Sequence, residues 1–164
     1  MKTLYLMGGT MGIGKTTVCR ELQKRLPNCV FLDGDWCWDM QPFVVNAETK
    51  AMVMDNICHL LNNYLKCSQF ENVLFCWVMH EQFVIDDILS RLDRTGWEVK
   101  VISLTCTEEA LRQRLQRDID AGIRSEDILE RSIPRLPLYD ALDTIKVDTT
   151  GKTPAKVAEE MIWK

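Results

Sequence analysis

The stretch Leu4-Tyr5-Leu6-Met7-Gly8-Gly9-Thr10-Met11-Gly12-Ile13-Gly14-Lys15-Thr16-Thr17 decides how the chain is read. An apolar run leads into Gly9-x4-Gly14-Lys15-Thr16, the G-x4-G-K-[ST] spacing of the Walker A loop. Glycines at 8, 9, 12 and 14 let successive backbone N–H groups turn inward around a phosphate, with no Cβ in the way. The helix that starts near Lys15 aims its positive N-terminal end at the same anion. Lys15 supplies a point charge for the outer phosphates, and the Thr16 hydroxyl is a ligand for Mg²⁺. Gly9, Thr10, Met11, Gly12, Ile13, Gly14, Lys15, Thr16 and Thr17 are therefore expected to hold the phosphates. The context agrees: a strand-like run precedes the loop, and Val18, Leu22 and Leu26 repeat at helical spacing after it.

Working outward, 164 residues with 46% hydrophobic and 27% charged content suit one globular domain with a real core. The net charge of −4 leaves no general basic field, so nucleic acid is not an expected partner. Seven cysteines, an odd count without a C-x-x-C pair, suggest neither a disulfide framework nor a zinc site. A reduced, cytoplasmic setting is expected. The opening residues Met1-Lys2-Thr3 pass straight into a strand and do not read as a signal peptide. No apolar run reaches membrane-spanning length. The chain is expected to be a monomer or weak homodimer.

Apolar runs at Thr3–Met7, Cys29–Leu32, Asn72–Met79, Glu98–Thr105 and Thr144–Val147 read as strands. Helical patterns fall between them, at Thr16–Leu26, Glu48–Lys66, Glu81–Arg94 with Gly96 as its cap, Glu108–Ala121, and a helix begun at Ser125. Thr153-Pro154 opens a last helix. Such alternation predicts an α/β domain with a parallel sheet and right-handed crossovers. Ligands in these sheets bind beyond the carboxyl ends of the strands.

At those ends stand the groups that carry chemistry. Asp33-Gly34-Asp35 places two carboxylates beside the phosphate loop, one for Mg²⁺ and one to accept a proton from an attacking hydroxyl. The third strand ends in His80 rather than an acid, which argues against a motor or switch ATPase. His80 and Trp36 face the expected substrate side, whereas Trp77 reads as a core or rim aromatic. Arg112, Arg114, Arg117, Arg124, Arg131 and Arg135 cluster between the fourth and fifth strands, with Gly122 as a hinge, and read as a lid over the transferring group.

Taken together, the loop, Phe31-Leu32-Asp33-Gly34-Asp35, Arg135-Leu136-Pro137-Leu138-Tyr139, and Val147-Asp148-Thr149-Thr150 ahead of Pro154 resemble the shikimate kinase-like group of P-loop small-molecule kinases. The aspartate-glycine-aspartate stretch is also similar to that of gluconate and adenylylsulfate kinases. The resemblance implies a three-layer fold over residues 1–164, strand order 2-3-1-4-5 with helices on both faces, acceptor-binding region 36–66 and lid 112–135. It implies ATP and Mg²⁺, with Thr16 and Asp33 at the metal and Asp35 at the acceptor hydroxyl as candidate base. It further implies Arg114 against the adenine with Pro154 on its other face, a lid arginine at Arg117 or Arg124, and Arg135 toward the substrate. Two departures argue against shikimate as acceptor: no glycine triplet follows the third strand, and no arginine lies between Arg25 and Arg91. The expected activity is ATP-dependent phosphoryl transfer to a hydroxyl or phosphate of a small molecule. A nucleoside or nucleotide kinase and a non-catalytic ATP-binding regulatory module are the alternatives.

Overall fold

The computed structural model describes residues 1–163. Strand β1 (Lys2–Gly8) leads through the phosphate loop to α1 (Lys15–Arg25) and β2 (Cys29–Asp33). A 3₁₀ helix (Gly34–Trp38), α2 (Ala47–Lys66), β3 (Asn72–Cys76) and α3 (Gln82–Arg91) follow. Then come β4 (Trp97–Thr105), α4 (Glu108–Asp120), α5 (Ile128–Ser132), a second 3₁₀ segment (Ile133–Ala141), β5 (Ile145–Asp148) and α6 (Pro154–Ile162). The five strands form one parallel sheet in the order β2-β3-β1-β4-β5, the order that the family resemblance implies.

Strand alternation builds the layers. Leu4 and Leu6 of β1 project to one face and pack with Val53, Ile57, Ile85 and Ile88 from α2 and α3. Tyr5 and Met7 project to the other and pack with Val18 and Leu22 of α1 and Val157 and Met161 of α6. A smaller cluster joins Leu111 and Leu115 of α4 to Ile128 of α5, with Met11 of the loop against it. Each fully buried side chain of this size contributes about 1.5–3 kcal/mol. None of the seven cysteines is disulfide-bonded, and no helix among the described residues is long and apolar enough to cross a membrane.

Several local expectations are corrected. The third strand stops at Cys76, three residues short of Met79. The Val78 carbonyl turns toward the phosphate loop and Met79 adopts φ 39°, which takes the chain out of the sheet. Gly96 does not cap α3, which ends at Arg91; with φ 81° it shapes the turn into β4. Ser125 caps no helix: its hydroxyl bonds the Asp127 carboxylate, and α5 begins only at Ile128. The stretch after Asp33 opens with the 3₁₀ helix, whose N-cap is Asp33 itself. Helix α2 starts with a capping box the sequence reading missed, in which Asn46 and Thr49 exchange hydrogen bonds of 2.9 and 3.0 Å.

Gly34 joins β2 to the 3₁₀ helix directly under Trp77. A Cβ there would lie 2.6 Å from Trp77 Cγ and 3.1 Å from its Cβ. Gly34→Ala is therefore expected to push the indole off its seat at a cost of about 1–3 kcal/mol. Urea unfolding checks this, and an unchanged midpoint would refute it.

Candidate active site

The loop between β1 and α1 takes its shape from two glycines. Gly14 caps α1 with φ 104°, and Gly12 has φ 84°. Both lie where a Cβ is strained, and at Gly12 it would also meet Leu115 Cδ2 at 2.4 Å. Gly8 and Gly9 serve otherwise than predicted. Gly8 ends the strand, and the Gly9 N–H, rather than turning inward, donates to Val78 O at 3.2 Å. The Thr10 side chain also turns away, to Ser132 O at 2.8 Å and Ser132 Oγ at 2.9 Å. Ser132 Oγ donates in turn to Met11 O at 2.5 Å. Ser132 is fully buried, and no sequence signal marked it.

Lys15 Nζ folds back over the loop to Thr10 O at 3.1 Å. Burial lowers its pKa, opposed in part by Cys76 and the two aspartates. Thr16 Oγ1 donates to Asp33 Oδ2 at 2.6 Å, which brings together the two residues expected at a metal. Asp33 Oδ1 accepts the Asp35 N–H at 3.0 Å. Among the described residues, no group of three or more His, Cys, Asp or Glu is placed to hold a metal ion. An ion at Thr16 and Asp33 must take its other ligands from phosphate and water, the habit of Mg²⁺. The all-oxygen donor pair fits that ion.

A cleft of about 750 Å³ runs from the loop between α4 and the start of α6. Arg114, Arg117, Arg124 and Pro154 line it. Arg114 is held by Thr149, through Oγ1 at 2.9 Å and the carbonyl at 2.7 Å, and reaches Ile13 O at 3.2 Å. Arg124 pairs with Asp118 at 3.1 Å. Its charge is felt at both Lys15 and Asp35, and Arg117 is exposed on the cleft wall.

A second cavity of about 820 Å³ lies on the other side of Asp35, lined by Trp36, Trp38, Phe43, Trp77, His80 and Arg135 among others. Asp35 and Met11 line both cavities. The Asp35 residue is exposed along the walls, yet its pKa is raised, first by desolvation of the carboxyl and then by Asp33. Lys15, Arg124 and the Trp77 side chain act the other way. His80 Nε2 sits 3.2 Å from Glu81 Oε1, and its pKa is lowered, first by burial and then by Arg135. The Tyr139 hydroxyl donates to Val78 O at 2.5 Å and fixes the wall behind Met79.

The arginine cluster divides. Arg114, Arg117 and Arg124 face the first cleft, and Arg131 and Arg135 face the second cavity. Arg112 is bound to Glu108 at 2.7 Å on an exposed helix face. Trp77, read as core or rim, lines the second cavity with Trp38 and Phe43. The spacing Trp36-x-Trp38 after a strand end was the available signal for that wall.

Comparison with known proteins agrees with this frame. A protein of Pyrococcus furiosus that carries the provisional name adenylate kinase is 26% identical over 159 residues, 94% of this chain and 79% of that protein. A gluconokinase from Sinorhizobium meliloti superposes with a TM-score of 0.67 at 16% identity, covering 96% of this chain and 88% of the other. A shikimate kinase from Acinetobacter baumannii superposes with a TM-score of 0.61 at 21% identity, covering 99% and 91%. These likenesses establish the P-loop kinase fold. The model of the AAA domain family AAA_18 matches residues 6–132, and the chain belongs to that family.

Proposed function

We propose that the protein transfers the γ-phosphoryl group of ATP, with Mg²⁺, to a hydroxyl or phosphate of a small molecule. One observation carries this reading: the loop-lined cleft and the aromatic cavity meet at Asp35 and Met11. A donor in the first and an acceptor in the second face each other across one carboxylate. A protein that only bound nucleotide would need neither the second cavity nor that acid.

Each residue then has a task. The loop N–H groups, the N-terminus of α1 and Lys15 hold the donor phosphates. Thr16 and Asp33 hold the ion, which when bound neutralises phosphate charge. Arg114 and Pro154 flank the nucleotide base. Arg124, whose charge reaches Lys15 and Asp35, covers the transferring group, and its tether to Asp118 fixes its approach. Asp35 takes the proton of the acceptor hydroxyl as that oxygen bonds to phosphorus and the β–γ bridge breaks to leave ADP. A pKa raised above the ordinary carboxylate value suits a base that must accept this proton. Trp36, His80 and Arg135 hold the acceptor.

Lys15→Ala is expected to lower turnover roughly 10²-fold or more. Asp35→Asn is expected to lower it by about 10²–10⁴-fold while ATP affinity is kept. ADP release over a panel of alcohols, nucleosides and nucleoside monophosphates, with calorimetric ATP binding, reads both. ATP binding without acceptor-stimulated ADP release anywhere in the panel would replace this reading with a nucleotide-binding module.

The same variant has a stability signature. The folded state holds the Asp35 proton more tightly than the unfolded chain, whose value is the ordinary 3.8. Stability from this site is thus greatest below that value and falls as pH rises through the raised one. Asp35→Asn is expected to raise the Tm near neutral pH and to leave it unchanged near about pH 3. A Tm difference that does not vary with pH would refute the shift.

A further inference from the structure

The second cavity has a chemistry of its own. Four of its walls are aromatic: Trp36, Trp38, Phe43 and Trp77. Trp38 and Phe43 brace each other, with ring centroids 5.9 Å apart and planes tilted 60°. Trp36 is fixed from behind. Phe31 meets it in an edge contact at 5.2 Å, and the Arg20 guanidinium lies 5.4 Å from its centroid. The rest of Trp36 is left open, with 47% of the residue exposed. An indole held this way offers a ring surface at little entropic cost.

Arg135 is the second feature. It is half-buried at the cavity wall and has no carboxylate partner among the described residues. Of the two arginines that line this cavity, Arg131 pairs with Asp127 at 3.0 Å and Arg135 is left without such a partner. A partly desolvated guanidinium without a counter-ion is costly. Its neighbour His80 is held toward the neutral form, so it adds a hydrogen-bonding group rather than a second charge.

We propose that this cavity binds an acceptor built from a flat ring and an anionic group, the ring stacked on Trp36 and the anion held by Arg135. The assignment rests on the phosphotransfer reading, which makes this cavity the acceptor side. A polyhydroxylated chain such as a sugar acid satisfies Arg135 but leaves its hydroxyls unpaired against the indoles. A neutral ring satisfies the tryptophans and leaves Arg135 without its counter-ion. Nucleoside monophosphates and hydroxybenzoates both carry the required pair of features.

The test is calorimetric titration of the whole chain, with and without a non-hydrolysable ATP analogue. The probes are nucleoside monophosphates, hydroxybenzoates, the matching nucleosides, gluconate and glucose phosphate. At least one ring-plus-anion probe is expected to bind tighter than every probe with one feature alone, and the winner tells which source supplies the ring. Trp36→Ala is expected to weaken that probe roughly tenfold or more, with part of the affinity restored in Trp36→Phe. Arg135→Gln is expected to erase the preference for the charged probe over its neutral counterpart. Both variants should keep the affinity for the ATP analogue, a readout that a merely misfolded variant would lose. Equal binding of gluconate or glucose phosphate, equal binding of nucleosides, or no probe bound at all would overturn the proposal. Failure of the unaltered protein to bind the ATP analogue would instead overturn the phosphotransfer reading, and dependence of probe binding on Trp36 and Arg135 would still decide the cavity.

Discussion

The Val78 carbonyl oxygen accepts two hydrogen bonds at once, from the Gly9 N–H at 3.2 Å and the Tyr139 hydroxyl at 2.5 Å. Gly9 opens the phosphate loop, Val78 is where the chain has just left β3, and Tyr139 closes the segment that carries Arg135. Three stretches distant in sequence are thus pinned to one atom. Tyr139 is fully buried, so a partner lost here leaves a polar group without water, at a cost of about 1–3 kcal/mol. The floor of the phosphate loop and the back wall of the aromatic cavity are set by the same contact.

The charged groups around Asp35 share a bias. Burial lowers the pKa of Lys15 and of His80 and raises that of Asp35. In each case the surroundings disfavour the ionised form. A scaffold built for stability alone would not gather such groups at one junction. A phosphate beside Lys15 and a hydrogen-bond donor beside Asp35 would each favour the charged form that burial disfavours.

Much of the fold was legible in the sequence because it rests on periodicity. Five apolar runs with helical patterns between them determine a parallel sheet, and the glycines and lysine of one loop locate its functional edge. Boundaries were less legible where tertiary bonds overrule local preference. Trp77 and Val78 continue an apolar run, yet Met79 leaves extended geometry because Val78 O is claimed from outside the sheet. Asp33 and Thr16 could be paired from sequence since each sits at a strand or helix end facing the same mouth. Ser132 could not, because its partners Thr10 and Met11 lie about 120 residues away and its role is pure contact. The arginine cluster looked like one lid in sequence. Helical phase and the turn after α4 divide it among cleft, cavity and solvent.

Ser132 has a consequence for how the two cavities communicate. Through its carbonyl and hydroxyl it grips Thr10 and Met11, and three residues later the same turn presents Arg135. The phosphate loop and the turn that presents Arg135 are therefore joined by direct hydrogen bonds. Under the proposed function, a ligand that shifted one end would bear on the other through these bonds. Because binding free energies are reciprocal, whatever factor the nucleotide imposes on acceptor affinity, the acceptor must impose on the nucleotide. In the proposed phosphotransferase the order of binding would then be a matter of rates, and the bonds that join the two sites come from a serine that lines neither cavity.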